Sequence, residues 1–358
     1  MHDLGPEYLT EQLRDINDPQ LNADIVSLGL VEDLTVENNT ARITLGFNAP
    51  YSPDEMAMAS KIRSVVENAG LDPELQSPMN QSVDILSGVR NIIAVTSGKG
   101  GVGKSTIAAN LAHTIADRGA DVGLLDADVY GPNIPQLLDI QSAPTMTDDG
   151  YPIPVETHGL SVMSPGLVIP EADAAALRGP MINSAIQELL TDVRWGDLDY
   201  LIVDLPPGTG DVKITLLQTV PVTGVIGVTT PQSMATDDAI KGLDLFGEHN
   251  VPVIGIIENM SSFECPSCGD QHEVFGSGGG DRLADAYDTP VLGNVPVDPT
   301  LNSNTPSGVV TNKTSPAKNE FETLAKKTLN RVGVVSRKDT ADSNVLHNRP
   351  SQKSESWL

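Results

Sequence analysis

Cysteine is nearly absent: the 358-residue chain holds two, Cys265 and Cys268, so no disulfide framework can stabilise it. Basic residues are scarce as well, 22 Lys and Arg against 48 Asp and Glu, for a net charge of −26. A field of that sign disfavours nucleic acid and anionic membranes as partners. The excess is not an acidic tail, since residues 1–85 carry 15 acids against 4 bases and residues 336–358 carry 3 against 4. Aromatic residues make up only 4% of the chain. Few aromatics and little lysine suit a halophilic cytosol, where salt screens the self-repulsion. No apolar run approaches the roughly 20 residues of a membrane span. The start, Met1-His2-Asp3-Leu4-Gly5-Pro6-Glu7, lacks the basic and apolar regions of a signal peptide. The expectation is a cytoplasmic chain with reduced thiols.

Three stretches emerge along the chain. Residues 1–85 predict a small α+β domain: a helix over Tyr8 to Ile16 stopped by Asn17-Asp18-Pro19, strands near 34–36 and 41–45 joined by Glu37-Asn38-Asn39-Thr40, and a helix from Pro53 to Asn68 ended by Ala69-Gly70. Residues 86–335 alternate strands and helices, which predicts an α/β domain with a mostly parallel sheet flanked by helices. Its strands are expected at 91–96, 122–126, 160–163, 199–204, 224–229, 252–258 and 291–295. Residues 336–358 are polar and aperiodic, and are expected to be a disordered tail.

The richest segment is Gly98-Lys99-Gly100-Gly101-Val102-Gly103-Lys104-Ser105-Thr106. It follows the apolar stretch Asn91 to Thr96 and precedes a helical pattern of Ile107, Leu111 and Ile115. Strand, glycine-rich turn and helix in that order are the context of a P-loop. The glycines let backbone N–H groups converge on phosphate, and the helix N-terminus adds its positive end. Lys104 then faces the β- and γ-phosphates of ATP, and Ser105 puts its hydroxyl on Mg2+.

Two strand ends supply carboxylates to the same crevice. Val122-Gly123-Leu124-Leu125 runs into Asp126-Ala127-Asp128, and Asp126 is expected to support the Mg2+ shell. Leu201-Ile202-Val203 ends in Asp204, a Walker B strand, followed by Pro206-Pro207-Gly208-Thr209-Gly210-Asp211. A third strand, Val253 to Ile257, ends in Glu258-Asn259-Met260 and is followed by Cys265-Pro266-Ser267-Cys268-Gly269. That cysteine spacing grips one metal centre from one side of a tight turn. Zinc wants four ligands, of which His272 could be a third, and an iron–sulfur cluster usually wants four thiolates.

Lys99, a second lysine at the start of the loop, makes the deviant signature GKGGVGKS. The chain here resembles the dimeric ATPases that include MinD, ParA, the nitrogenase iron protein and the Mrp/ApbC cluster carriers. The cysteine pair, with Phe275-Gly276-Ser277-Gly278-Gly279-Gly280 and Pro290 to Pro296 after it, is similar to the Mrp/ApbC branch specifically, over roughly residues 85–332. Residues 1–85 resemble the PaaD/SufT-like domain often fused ahead of such ATPases. That domain usually carries a reactive cysteine after the strand pair; Gly46 to Tyr51 contain none, which favours docking or regulation over cluster ligation.

The resemblance implies a homodimer in which Lys99 reaches the partner's nucleotide, Asp128 orients the attacking water, and Asn259 reads the adenine edge. It also implies a [4Fe–4S] cluster bridged by Cys265 and Cys268 of two chains, received from an assembly scaffold and passed to apo-proteins. Two other readings carry different expectations. A MinD/ParA-type spatial switch would want a basic amphipathic C-terminus, and a zinc-bridged ATPase would use the P-loop only to control dimerisation.

Overall fold

Val89–Ser97 centres on the apolar run Ile92-Ile93-Ala94-Val95, and in the computed structural model its last seven residues are buried. Such strands belong inside a parallel sheet covered on both faces. The structure describes residues 5–77, 86–129, 131–169, 179–208, 210–265, 267–298, 301 and 315–347. It divides into two units, Met1–Met79 with Gly333–Leu358, and Asn80–Val332.

The first unit runs α1 (Pro6–Leu13), β1 (Val31–Glu37), β2 (Thr40–Leu45), α2 (Pro53–Asn68) and β3 (Asp72–Gln76). β1 and β2 form an antiparallel pair, and β3 joins β2 in parallel. The hairpin closes at Asn38 and Asn39, with φ of 48° and 71°, the conformation a two-residue turn demands and asparagine tolerates. Helix α2 starts at Pro53 behind Ser52, whose hydroxyl accepts the Glu55 N–H. Leu9 and Leu13 of α1 share one core with Ile62 and Val66 of α2 and Ile43 of β2. Each fully buried side chain of this size contributes about 1.5–3 kcal/mol.

The second unit holds β4 (Val89–Ser97), α3 (Lys104–Ala116), β5 (Val122–Asp126), α4 (Ile134–Leu137), the short strands β6 (Thr145–Met146), β7 (Pro152–Ile153) and β8 (Val155–Thr157), then β9 (Leu160–Met163) and α5 (Pro165–Val168). After these come α6 (Gly179–Thr191), β10 (Leu198–Asp204), α7 (Asp211–Thr219), β11 (Gly224–Thr229), α8 (Ser233–Glu248), β12 (Val253–Glu264), β13 (Gln271–His272), α9 (Gly279–Ala286) and β14 (Val291–Val297). The nine-stranded sheet has the order β13-β12-β11-β4-β10-β5-β9-β8, with β14 also on β12. Its interior pairings are parallel, and β13 and β8 are antiparallel edges. Each predicted strand of residues 86–335 has its counterpart. The short strands β6, β7, β8 and β13 have no counterpart among the expected ones, being two or three residues each.

The predicted tail is corrected. Helix α10 (Lys318–His347) continues through residues 336–347; the rest of the tail lies outside the described residues. The physical reason is Arg337, which is fully buried in the first unit. Its Nε donates to Asp18 at 2.6 Å and its Nη1 to Glu55 at 2.7 Å. A polar stretch that reads as solvated is held by two buried carboxylates. The breaks between the units fall at Met79/Asn80 and Val332/Gly333, where the sequence reading places them at 85/86 and 335/336. No helix among the described residues is long and apolar enough to cross a membrane.

Candidate functional site

β4, β5 and β10 are in register so that Asp204 pairs with Asp126 on one side and Val95 on the other. The P-loop therefore leaves the sheet beside two carboxylates, at the edge where open α/β sheets bind ligands. Gly103, at φ 81°, turns the chain into α3, and a Cβ there would stand 2.2 Å from the Asn259 amide nitrogen. A Cβ on Gly98 would lie 2.1 Å from the Asp238 carbonyl carbon of α8. Both positions accept only glycine. No side chain caps α3, the arrangement that leaves first-turn N–H groups for an anion.

A cavity of about 360 Å³ opens over this loop. Ser97, Lys99, Gly100, Gly101, Gly103, Lys104, Ser105 and Thr106 line it from the loop side, and Asp128, Asn133, Gln136, Leu137, Pro207 and Leu301 from the other. Lys104 is buried and its Nζ lies 2.5 Å from Asp204 Oδ1 and 3.4 Å from the Ser105 hydroxyl. Burial pushes the Asp204 carboxyl up, against the pull of the Lys104 ammonium. Its Oδ2 is buried and accepts no hydrogen bond among the described residues. An orphaned carboxylate oxygen beside a serine hydroxyl is a donor set that fits a hard, oxygen-seeking cation such as Mg2+.

Asp126 and Asp128 divide their work. Asp126 is fully buried, and its oxygens accept from the Asp128 N–H at 3.1 Å, the Ile134 N–H at 3.2 Å and the Ser164 hydroxyl at 3.1 Å. Burial first, and the Asp204 carboxylate second, push its pKa up to about 7. The oxygens expected to support a Mg2+ shell are thus engaged by the chain, anchoring the 127–134 loop. Asp128 reaches the cavity wall, with Oδ1 accepting the Gly131 N–H at 3.1 Å.

Two sequence-predicted side chains make contacts the sequence did not suggest. Lys99 lies 3.3 Å from Asp238 Oδ2, and Lys241 approaches the same carboxylate at 3.3 Å. Asn259 is buried beneath the loop and donates its amide to the Val102 carbonyl at 2.8 Å. That contact braces the P-loop. Asp238 had no signal in the sequence beyond its i,i+3 spacing to Lys241.

The cysteines stand apart from this cavity's lining. β12 continues from Asn259 to Glu264, and β13 returns antiparallel, pairing Phe263 with His272. Cys265 and Cys268 occupy the connecting turn, closed by the Cys265 N–H on Asp270 at 2.9 Å and the Gly269 N–H on Cys265 at 2.8 Å. Backbone N–H groups of Ser267 and Cys268 facing the Cys265 sulfur hold its thiol below the usual range, which favours the metal-binding thiolate. Cys268 is exposed. Among the described residues no group of three His, Cys, Asp or Glu side chains is gathered for a metal, so His272 does not complete a site with the pair.

Comparison with known proteins bears on both sites. Residues 88–329 match the family described as NUBPL iron-transfer P-loop NTPase, and residues 7–72 match the family described as Iron-sulfur cluster assembly protein. An iron-sulfur cluster carrier protein of Deinococcus radiodurans is 43% identical over 298 residues, covering 82% of this chain and 85% of that protein. One from Escherichia coli K12 is 46% identical over 248 residues, covering 69% and 67%. A nucleotide-binding protein from Archaeoglobus fulgidus, solved in complex with ADP, is 34% identical with a TM-score of 0.54, over 69% of this chain and 90% of that one. The septum site-determining protein MinD of Pyrococcus horikoshii, at 19% identity and a TM-score of 0.52 over 68% and 98%, shares the fold. The P-loop, the Asp204 strand end and the cysteine hairpin all fall inside the matched segment, and the chain belongs to the NUBPL-type iron-transfer P-loop NTPases.

Proposed function

We propose that this chain is an ATP-hydrolysing carrier that accepts a [4Fe–4S] cluster as cargo at a homodimer interface and passes it to apo-proteins. The observation that carries this reading is the strand β12, which braces the P-loop through Asn259 and ends in a hairpin bearing two free thiols, Cys265 half-buried and Cys268 exposed. Six positions along the chain separate Asn259 from Cys265, with Met260 at φ 58° and an irregularity in the strand pairing between Asn259 and Phe263. A change in the loop's backbone on nucleotide binding acts on Val102 and so on the strand that bears the sulfurs. Two thiolates per chain supply half of what a cluster wants, and a second copy supplies the rest. The names of the relatives, iron-sulfur cluster carrier proteins, support the same cargo.

Within the ATP site, Lys104 binds the β- and γ-phosphates and leaves Asp204 as they arrive. Ser105 and Asp204 would hold Mg2+, which supplies charge neutralisation on the phosphates. Asp128, on the cavity wall, orients the attacking water. Lys99 exchanges Asp238 for the nucleotide of the partner, so dimerisation and release of that ion pair are one event. Catalysis of this kind is positioning and charge stabilisation.

The test is cluster transfer. Protein reconstituted anaerobically with iron and sulfide should activate an apo-acceptor, with a rate that responds to ATP. Cys265→Ser should abolish loading, while Lys104→Ala should load and lose the response to ATP. One zinc per chain that iron and sulfide do not displace would overturn the carrier reading.

A further inference from the structure

Lys213 stands in the first turn of α7 and has no exposed surface. Lysine is almost never fully buried unless paired, yet among the described residues this one makes no ion pair. Its Nζ donates to the Gly208 carbonyl. Gly208, at φ 87°, also gives its N–H to the Ser97 carbonyl at 3.1 Å. Gly242 of α8 leaves the room: a Cβ there would stand 3.3 Å from Lys213 Nζ and 3.7 Å from both the Gly208 and Ser97 oxygens. The last residue of β4, the segment after β10 and two helices thus meet around one ammonium.

We propose that Lys213 is a positioning residue of the nucleotide site, a second cation that fixes the Gly208 peptide and ties the Pro206-Pro207-Gly208 segment to the charge in the phosphate cavity. An amide at this position could make the same hydrogen bond; what lysine adds is charge. Lys104 is the charged group that acts on it. Asp204 of β10 is committed to Lys104, Asp238 of α8 to Lys99 and Lys241, and Asp211 of its own helix is exposed. Burial, and then repulsion from Lys104, bring the Lys213 pKa down to about 8.

A polyphosphate beside Lys104 reverses the field at Lys213 from repulsive to attractive. The ammonium then keeps its proton to a higher pH than in the free protein. Binding therefore takes up a proton above about pH 8, and affinity falls as pH rises between the free and bound pKa values. A lysine that does not sense the charge in the cavity would leave no such signature.

The inference rests on the nucleotide reading of the P-loop, and one experiment separates the two. Titration calorimetry of the full chain with MgATP, in buffers of different ionisation enthalpy, counts protons taken up at about pH 7 and about pH 9. The wild type should take up a proton fraction at the higher pH that is missing at the lower, with affinity reduced up to about tenfold. Lys213→Gln should lose that uptake. Lys213→Arg, charged throughout, should bind without a pH slope from this position. ATP binding with equal uptake by wild type and Lys213→Gln overturns the role of Lys213 and leaves the nucleotide site standing. Wild type that binds ATP and takes up no proton at the higher pH overturns it without any variant. Wild type that binds no ATP overturns both.

Discussion

At the P-loop, the groups that face the cavity are braced by other residues of the same chain. Lys104 rests on Asp204, Asn259 holds the Val102 carbonyl, and Asp126 ties down the loop that presents Asp128. At the tip of the β12–β13 hairpin, two sulfurs stand in an exposed turn with no third ligand gathered among the described residues. One site is preorganised, and the other is open. Preorganisation suits a reaction driven by fixed charges, and an open pair of sulfur ligands suits a cargo that must arrive and leave.

The largest expected effect breaks the preorganised site. Lys104→Ala removes the cation facing the phosphates and leaves Asp204 buried without its partner. Nucleotide affinity should fall by two orders of magnitude or more, and folding stability by about 3–5 kcal/mol at neutral pH. Nucleotide binding and denaturant melts read the two losses separately. Undiminished ATPase activity would refute the P-loop assignment.

A second, more selective change isolates the open site. Cys268→Ser should abolish cluster retention while shifting ATP affinity by less than about twofold, because the exposed turn contributes nothing to the cavity. A Cys268→Ser protein that still carries a stable cluster would mean that the sulfurs do not share the load.

The smallest effect is a pH dependence confined to the braced site. The Asp126 pKa, pushed up to about 7, lies above its unfolded value. The folded chain therefore holds more protons, so this group's contribution is full below the unfolded pKa and is lost as pH rises through about 7. The melting temperature of nucleotide-free protein should fall between pH 6 and pH 8 by more in the wild type than in Asp126→Asn. An equal fall in both would show that the carboxyl is already ionised in the fold.

Much of this architecture is legible in the amino-acid sequence. Buried parallel strands are near-continuous apolar runs, so Ile92 to Val95 and Leu201 to Val203 announce themselves, and the P-loop lies between a strand and a helix as its chemistry requires. What the sequence hides are contacts between distant positions. Arg337 meets Asp18 across 319 residues and Glu55 across 282, so the end of α10 reads as solvated tail when each residue is judged by its neighbours. Lys99 and Asp238, Asn259 and Val102, and Lys213 and the Ser97–Gly208 pair escape for the same reason. A charged or amide side chain carries no mark of whether its partner is water or a residue brought there by the fold. The short edge strands stay hidden because two or three residues hold too little periodicity.

The difference between the two sites is tested most directly by native mass spectrometry of the anaerobically reconstituted chain, with iron and sulfide measured on the same sample. The expected species is a dimer holding one four-iron cluster, about two irons per chain, that falls to cluster-free protein when either cysteine is serine while still binding nucleotide. Four irons, or one zinc, retained on a monomer would contradict it.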